Sequence, residues 1–327
     1  MKKILFVLTF VSAFTSNAQN APIKNVNDKN ASIPESKSQF NSSREIKITE
    51  NLVGDLYQVK NKETVILLIA GSGPTDRNGN SLGMAENNSL KFLAQGLSEH
   101  EFNVFTYDKR VVSLLKNKSD LPDLDFQHGI EDAVTIVKFL KEKLKFKNVI
   151  IAGHSEGSLV GMVAAQKNAA AFISLAGAGN SIDIILAEQL NKQAPMFNDE
   201  VSRILKELKA RNRVSDVNPM LQSLFGEQNQ AFLIEWISLN PAEEIAKLRM
   251  PILIINGTKD IQVSVTEAEI LHQANPKSEV VIIENMNHIF KTIEKDEENI
   301  KSYSDPKLPI NKELVSIITK FLQKNKF

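Results

Sequence analysis

Residues 153–157, which read Gly-His-Ser-Glu-Gly, stand where one sequence pattern gives way to another. The residues before them, 148–152, form a short apolar run that is typical of a buried strand, and the residues after them have helical spacing. A serine at such a strand-to-helix turn has a strained backbone, and glycines two positions to either side leave room for it. We therefore predict a tight strand-to-helix turn centred on Ser155.

The same turn makes Ser155 a candidate nucleophile. It presents the hydroxyl at the carboxyl edge of a sheet and at the start of a helix, whose free N–H groups favour negative charge. The alternative is an ordinary Gly-rich turn without chemistry, because Gly-x-Ser-x-Gly alone is a weak signal. An acid and then a histidine later in the chain, each just beyond a strand, would favour the nucleophile.

Both partners are present in that order. The apolar run 251–255 leads into a turn that contains Asp260, and the run 279–283 is followed closely by His288. Turns at the carboxyl ends of parallel strands lie at one edge of the sheet. We predict that His288 takes the proton of Ser155 and that Asp260 orients the histidine ring and stabilises its charged form.

Other acids and histidines compete for these roles. Glu267 and Glu284 are alternative candidates for the acid, and Asp260 is preferred only because of its position. The four remaining histidines are predicted to be structural or solvated, because an isolated histidine is seldom catalytic without an oriented partner. These are His100, His128, His154 and His272.

Acyl transfer also needs N–H donors for the oxyanion of its tetrahedral intermediate. One donor should be the backbone N–H of Glu156, the residue after the nucleophile. The apolar run 65–70 leads into the Gly-rich loop 71–79, from which we predict the N–H of Ser72 as the second donor, with Gly73 as the alternative. A phosphate-binding loop is disfavoured, since no Gly-Lys-Ser/Thr follows.

Together these residues resemble the α/β-hydrolase superfamily, and within it a branch of bacterial serine esterases and aminopeptidase-like enzymes. The resemblance covers the chain from about residue 44 to its C-terminus. The stretches that carry it are the oxyanion loop 70–80 (Ala-Gly-Ser-Gly-Pro-Thr-Asp-Arg-Asn-Gly-Asn), Tyr-Asp-Lys-Arg at 107–110, Asp-Ile-Gln-Val at 260–263 and Asn-His-Ile-Phe at 287–290. The branch usually has Gly after Tyr-Asp-Lys-Arg, where this chain has Val111.

The resemblance implies an α/β-hydrolase fold, hydrolysis of small carboxylic acyl esters, and no metal or organic cofactor. An exopeptidase or a thioesterase with the same three residues would also fit, as would a non-catalytic protein that binds a ligand on the same fold. An exopeptidase would need an anchor for the peptide terminus, for which Arg77 and basic residues of later helices are the candidates. Export disfavours the thioesterase, because acyl thioesters are cytosolic.

Composition limits the partners. Lysine plus arginine and aspartate plus glutamate both number 39, so the net charge is zero and no field of the whole chain would attract nucleic acid or anionic lipid. The chain has no cysteine, which excludes disulfides, thiol nucleophiles and thiolate metal sites. A small-molecule ester is the expected partner, and the sequence gives no signal of an oligomer.

Residues 1–18 are typical of a signal peptide, with two early lysines, an apolar run at 4–14 and small residues before Ala18. The run is about half of the ~20 residues that a spanning helix needs, so a stable membrane anchor is disfavoured. We expect cleavage after Ala18 and export to the periplasm or beyond. Residues 19–43, rich in Asn, Ser and Lys, are predicted to be a disordered linker.

The remaining residues, 44–327, are predicted to form one domain with a doubly wound, mostly parallel sheet, because strand and helix patterns alternate. Partial alternation in 45–59 predicts an antiparallel pair at the sheet edge. Between about 180 and 248 the alternation stops and helical spacing takes over, which predicts a helical cap. By resemblance this cap would lie over the site. Trp236 within it is a candidate pocket residue, although packing onto the core is the commoner role of such a side chain.

Overall fold

The computed structural model describes residues 43–119 and 124–327. The predicted signal peptide, 1–18, and the predicted linker as far as residue 42 lie outside the described residues. Cleavage, export and the division of the chain into these segments therefore remain predictions.

Within the described residues, eight strands form one sheet, and its inner strands are apolar runs. The strands are β1 (Ser43–Lys47), β2 (Val53–Tyr57), β3 (Thr64–Ile69), β4 (Asn103–Tyr107), β5 (Asn148–His154), β6 (Ala171–Leu175), β7 (Ile252–Gly257) and β8 (Glu279–Ile283). Every residue of β3, β4, β6 and β7 is buried. Burial of both faces explains why these segments are continuous apolar runs rather than alternating ones.

The strand order is β1-β2-β4-β3-β5-β6-β7-β8. β1 pairs antiparallel with β2, and β2 with β4, whereas all other neighbours are parallel. The predicted antiparallel strands at one edge of a mostly parallel sheet are therefore confirmed. Because β3 to β8 all run in one direction, their carboxyl ends lie at the same edge.

Parallel neighbours need crossover connections, and helices supply them. The helices are α1 (Ser89–Glu99), α2 (Arg110–Lys116), α3 (Phe126–Glu142), α4 (Glu156–Asn168), α5 (Ile182–Gln193), α6 (Asn198–Lys209), α7 (Gln222–Phe225), α8 (Glu227–Ile237), α9 (Pro241–Ala246), α10 (Val265–Ala274), α11 (Asp296–Ser302) and α12 (Lys312–Lys324). None of the helices in the described parts of the chain combines the length and apolar character needed to span a membrane.

Helices cover both faces of the sheet, as the side chains of β3 demonstrate. Val65, Leu67 and Ile69 belong to a buried cluster that also contains residues of α3 and α4. Ile66 and Leu68 belong to a second cluster, with residues of α1 and α12. Since successive side chains of a strand point to opposite faces, these helices lie on opposite sides, and the sheet is doubly wound as predicted.

Five helices, α5 to α9, occupy the chain between β6 and β7, where the sequence predicts a helical cap. In α6 the buried residues are Val201, Ile204, Leu205 and Leu208, the positions that the helical spacing indicates. They belong to the same buried cluster as α3 and alternate residues of β3. This helical segment therefore shares its core with one face of the sheet.

Candidate active site

Ser155 lies between β5 and α4 in a backbone conformation that is rare for a residue with a side chain. Its φ is 54° and its ψ is −120°, a strain of on the order of 1–3 kcal/mol that persists only where the surroundings enforce it. The Ser155 N–H donates to the carbonyl of Leu175 at 2.9 Å, which holds the turn. A β-carbon at Gly153 would collide with the carbonyl of Gly157, and one at Gly157 with the carbonyl of Ala70. The predicted turn is present, and both glycines are sterically required.

Asp260 and His288 meet at the carboxyl edge of the sheet, beyond β7 and β8. An ionised carboxylate only accepts, so the Nδ1–H of His288 donates to Asp260 Oδ2, at 2.8 Å. The other oxygen, Oδ1, accepts the backbone N–H groups of Gln262 and Val263, both at 2.8 Å. Both side chains of the pair are buried. The ring is thus held in the tautomer that leaves Nε2 free to accept a proton.

Ser155 and His288 line one pocket, together with residues of the loop after β3. Among the described residues the Ser155 hydroxyl has no hydrogen-bond partner, so no hydrogen bond joins it to His288 Nε2 in this structure. Such contacts often tighten only when substrate binds. The structure brings Ser155 and His288 to one pocket, and the buried Asp260 is bonded to His288.

The two predicted oxyanion donors lie beside Ser155. Glu156 is the first residue of α4, where a helix N–H has no partner within the helix. Ser72 lines the same pocket as Ser155. Its loop approaches so closely that a β-carbon at Gly71 would lie 3.3 Å from Ser155 Cβ. Within the parts of the chain that the structure describes, neither N–H donates to another group.

Comparison with known proteins adds to this geometry. No family model matches the chain. Esterase EstD from Thermotoga maritima is 28% identical over 233 residues, which cover 68% of this chain and 54% of that protein. The chain therefore spans about half the length of this curated relative.

Solved structures share the arrangement of strands and helices over most of their length. Est1E from Butyrivibrio proteoclasticus has a TM-score of 0.54 at 14% identity, covering 86% of this chain and 98% of that chain. The esterase Pf2001 from Pyrococcus furiosus also has a TM-score of 0.54 at 14% identity, covering 93% and 99%. A dienelactone hydrolase from Anabaena variabilis has a TM-score of 0.52 at 13% identity, covering 88% and 99%. The chain has the α/β-hydrolase fold.

His154, predicted to be structural, is buried at the edge of the α/β-hydrolase sheet directly against His288. Its Nε2–H donates to the carbonyl of His288 at 2.9 Å, and the ring centroids are 4.8 Å apart. Burial, and then the proximity of His288, lower the pKa of His154 to about 3. It therefore stays neutral near pH 7 and adds no charge beside an imidazolium at His288. No local signal could reveal this contact, because its partners are 134 positions apart.

The rival acids are placed elsewhere in the fold. The carboxylate of Glu267 accepts the N–H groups of Gly179 and Asn180 at 2.8 Å, and Glu284 is exposed. Within the described residues, no group of three or more His, Cys, Asp or Glu side chains could hold a metal ion. The other histidines make local contacts: His100 with Gly96, His128 with Asp125 and His272 with Ser278.

Arg77, predicted to line the substrate pocket, is instead held by three carboxylates. Its guanidinium donates to Asp108 at 3.0 and 3.1 Å, to Asp55 at 2.7 Å and to Glu45 at 3.0 Å. Burial lowers the pKa of this guanidinium, but Asp108 and Asp55 outweigh that effect and raise it. The prediction is therefore corrected: Arg77 ties the loop after β3 to β1, β2 and the end of β4.

Trp236, the second predicted pocket residue, lines a further pocket that also reaches Ser155. Apolar side chains such as Leu159 and Ile182 form other parts of its wall. The indole also packs into the core, where it stacks on Phe126 with ring centroids 5.5 Å apart. Both readings of this residue are compatible with its position, and a contact with substrate remains a prediction.

Val111 stands where the resembling branch has Gly, and it lies in the first turn of α2. There it lines a third, mostly apolar pocket. Gly73 and Pro74 of the loop after β3 are shared between this pocket and the one that Ser155 lines. The departure from Gly therefore changes a pocket wall next to the loop and leaves the helix intact.

Gln262 and Tyr303 are pocket residues that the sequence analysis did not identify. Both line the pocket of Ser155, and Gln262 Nε2 lies 3.1 Å from the hydroxyl of Tyr303, to which it donates. Gln262 also lines the Trp236 pocket. The position of Gln262, two residues after Asp260, could have indicated from the sequence that it lies near the site. No feature of the sequence indicates this for Tyr303.

Proposed function

We propose that the chain is a serine hydrolase that cleaves small carboxylic acyl esters through an acyl-enzyme at Ser155. The observation that carries the proposal is the bond between His288 and Asp260 at the pocket that Ser155 lines. A serine hydroxyl needs a base that is itself oriented by a third group. The names of esterase EstD and of the esterase Pf2001 agree with this activity.

In the first half of the reaction, Ser155 Oγ attacks the carbonyl carbon of the ester while His288 Nε2 takes its proton. The carbonyl oxygen becomes an oxyanion that accepts the N–H groups of Ser72 and Glu156. When the intermediate collapses, the imidazolium gives its proton to the departing alcohol, and the acyl group stays on Ser155. Asp260 keeps the ring in place and stabilises its positive charge throughout.

In the second half, water replaces the alcohol. His288 Nε2 takes a proton from the water as the oxygen attacks the acyl carbon, and the same two N–H groups receive the new oxyanion. Collapse of this intermediate breaks the bond to Ser155 Oγ, which regains its proton from His288. The products are the carboxylic acid and the free enzyme.

An ester is favoured over a peptide as the substrate. One candidate anchor for a peptide terminus, Arg77, is engaged by three carboxylates. The apolar wall that includes Trp236 and Leu159 suits the acyl chain of an ester. We assign this pocket to the acyl group.

The pattern of residues 1–18 supports export of the enzyme, which would place its substrate in the periplasm or outside the cell. N-terminal sequencing of the protein from the periplasmic fraction tests this part of the proposal. A chain that begins at Gln19 is the expected result, and a chain that retains Met1 in the cytoplasm would contradict it.

The activity is tested with p-nitrophenyl esters from acetyl to long-chain acyl groups. We expect turnover of the short esters by the wild-type protein. Because the residues of a triad act as a unit, Ser155→Ala should lower kcat by roughly 10⁴-fold or more. Circular dichroism of Ser155→Ala serves as the folding control, and chain-length preference gives the size of the acyl pocket.

Two outcomes would contradict the proposal. Equal rates for the wild type and for Ser155→Ala would show that Ser155 is not the nucleophile. A wild-type protein that is folded but hydrolyses none of the esters would leave peptide hydrolysis, or ligand binding without catalysis, as the function to test.

A further inference from the structure

Lys109, which directly precedes α2, contacts both sides of the proposed oxyanion site. Its Nζ donates to Glu156 Oε1 at 2.7 Å and to the carbonyl of Gly71 at 3.1 Å. Glu156 supplies one of the two proposed N–H donors. The Gly71 carbonyl belongs to the peptide bond whose other end is the Ser72 N–H, the second donor. One ammonium group is therefore bonded to both segments that would face the oxyanion.

The bond to Gly71 determines where the Ser72 N–H points. The carbonyl and the N–H of a trans peptide lie in one plane and point in opposite directions, so a donor fixed on the carbonyl fixes the N–H as well. A charged donor also polarises the peptide and strengthens the N–H as a donor. The loop contains Gly71 and Gly73 and is intrinsically free to rotate, which is the freedom that this bond removes.

The bond to Glu156 has an electrostatic consequence. The carboxylate is 4% exposed, and its second oxygen, Oε2, is buried without a hydrogen-bond partner among the described residues. An unpaired negative charge on the residue after the nucleophile would repel the oxyanion that forms there. Lys109, 18% exposed, is the cation that neutralises it.

We propose that Lys109 is a positioning residue of the oxyanion site, which orients the Ser72 N–H through the Gly71 carbonyl and neutralises Glu156. The inference rests on the proposed ester hydrolysis at Ser155. Lys109 itself touches no reacting atom, so its contribution should appear in the stabilisation of the oxyanion and not in the binding of substrate.

Two variants separate the orientation of the Ser72 N–H from the neutralisation of the Glu156 charge. Glu156→Gln removes the buried carboxylate and keeps Lys109 with its bond to Gly71. The double variant Lys109→Met, Glu156→Gln also removes that bond, and it leaves no charge of the pair in the interior. Lys109→Ala in the Glu156→Gln background is the second test if Met is not accommodated. Circular dichroism and urea unfolding verify that each variant folds.

The readouts are kcat and KM for p-nitrophenyl acetate and the inhibition constant of an aryl trifluoromethyl ketone, whose adduct with Ser155 places an oxyanion in the site. Relative to Glu156→Gln, the double variant should lose on the order of tenfold to a hundredfold in kcat, since a misaligned donor costs less than a deleted one. KM should change little, and the ketone should bind more weakly by a similar factor.

Lys116→Met is the matched control, because Lys116 lies on α2 and bonds Asp108 at 2.8 Å rather than Glu156 or the carbonyl of Gly71. It should keep the wild-type kcat. Equal kcat values for Glu156→Gln and the double variant would overturn the inference, as would a rise in KM with unchanged ketone inhibition. A wild type without Ser155-dependent turnover would instead overturn the proposed function and the inference with it. An active wild type with an equally active double variant overturns the inference alone.

Discussion

Asp260 uses its two carboxylate oxygens differently, and one of them alone contacts His288. Oδ2 accepts from the histidine, whereas Oδ1 accepts two backbone N–H groups, from Gln262 and Val263. In an Asn at this position the carbonyl oxygen would take the place of Oδ1, because the backbone donors require an acceptor. The amide NH₂ would then face His288 Nδ1 and force the ring into the tautomer with hydrogen on Nε2, which cannot accept the Ser155 proton.

Asp260→Asn should therefore abolish the proposed ester hydrolysis without unfolding the protein. We expect kcat for p-nitrophenyl acetate to fall on the order of 10⁴-fold with little change in KM, as expected when the base holds the wrong tautomer. Steady-state kinetics measure the loss of kcat, and the midpoint of urea unfolding shows whether the variant keeps the stability of the wild type.

Glu284→Gln is the control for this prediction, since Glu284 directly follows β8, as Asp260 follows β7, but is exposed. It should keep wild-type kinetics. A loss at Glu284→Gln as large as that at Asp260→Asn would contradict the assignment of the acid.

At the scale of secondary-structure elements, one side chain holds the loop after β3 against the antiparallel edge of the sheet. Arg77 is 11% exposed, and it bonds Asp108 at the end of β4, Asp55 on β2 and Glu45 on β1. Asp108 is 3% exposed and also accepts from Lys116 at 2.8 Å. Removal of Arg77 would leave the buried carboxylate of Asp108 with only part of its partners, and breaking a buried ion pair in this way is more costly than replacing both of its members.

Arg77→Met should lower the free energy of unfolding by roughly 3 kcal/mol, the lower end of the range for a broken buried pair, because Lys116 remains on Asp108. The KM for short esters should stay unchanged, since Arg77 is held outside the pocket. Urea unfolding and steady-state kinetics test both parts. Arg44 is an exposed arginine on β1, and Arg44→Met should change neither the free energy of unfolding nor KM. A KM that rises in Arg77→Met but not in Arg44→Met would show that Arg77 acts in the substrate pocket after all.

The strands that carry the site could be predicted because each is a local pattern. The apolar runs at 251–255 and 279–283 correspond to β7 and β8, and the positions of Asp260 and His288 follow from where these strands end. What could not be predicted is which strand ends are neighbours. In the sheet β4 lies between β2 and β3, so the residues after β4 meet the loop after β3.

That strand order explains both the error at Arg77 and the missed contacts of Lys109. Asp108 is 31 positions from Arg77, and Glu156 is 47 positions from Lys109. A charge pattern indicates that a partner is needed but not which one the fold supplies. The periodicity of neither segment indicates that β4 lies between β2 and β3, so these pairs can be identified only from the assembled sheet.

At the scale of the whole molecule, the helical segment between β6 and β7 is not a separate layer. Residues of α5, α6 and α8 belong to the same buried cluster as alternate residues of β3 and the helices α3 and α4. Trp236 on α8 stacks on Phe126 of α3, with ring planes 18° apart. The segment cannot unfold without exposing the apolar face of the sheet that it covers, and that exposure is costly.

Urea unfolding should therefore be one cooperative transition for the segment and the sheet. The chain has a single tryptophan, so fluorescence reports on Trp236 within the segment, whereas far-UV circular dichroism reports on all helices and strands. We expect the two curves to coincide, which is the standard test of a two-state transition. A fluorescence change at lower urea than the change in circular dichroism would show that the segment unfolds first. Coincident curves would mean that the wall of the Trp236 pocket is as stable as the sheet that carries Ser155, so that substrate enters a preformed pocket.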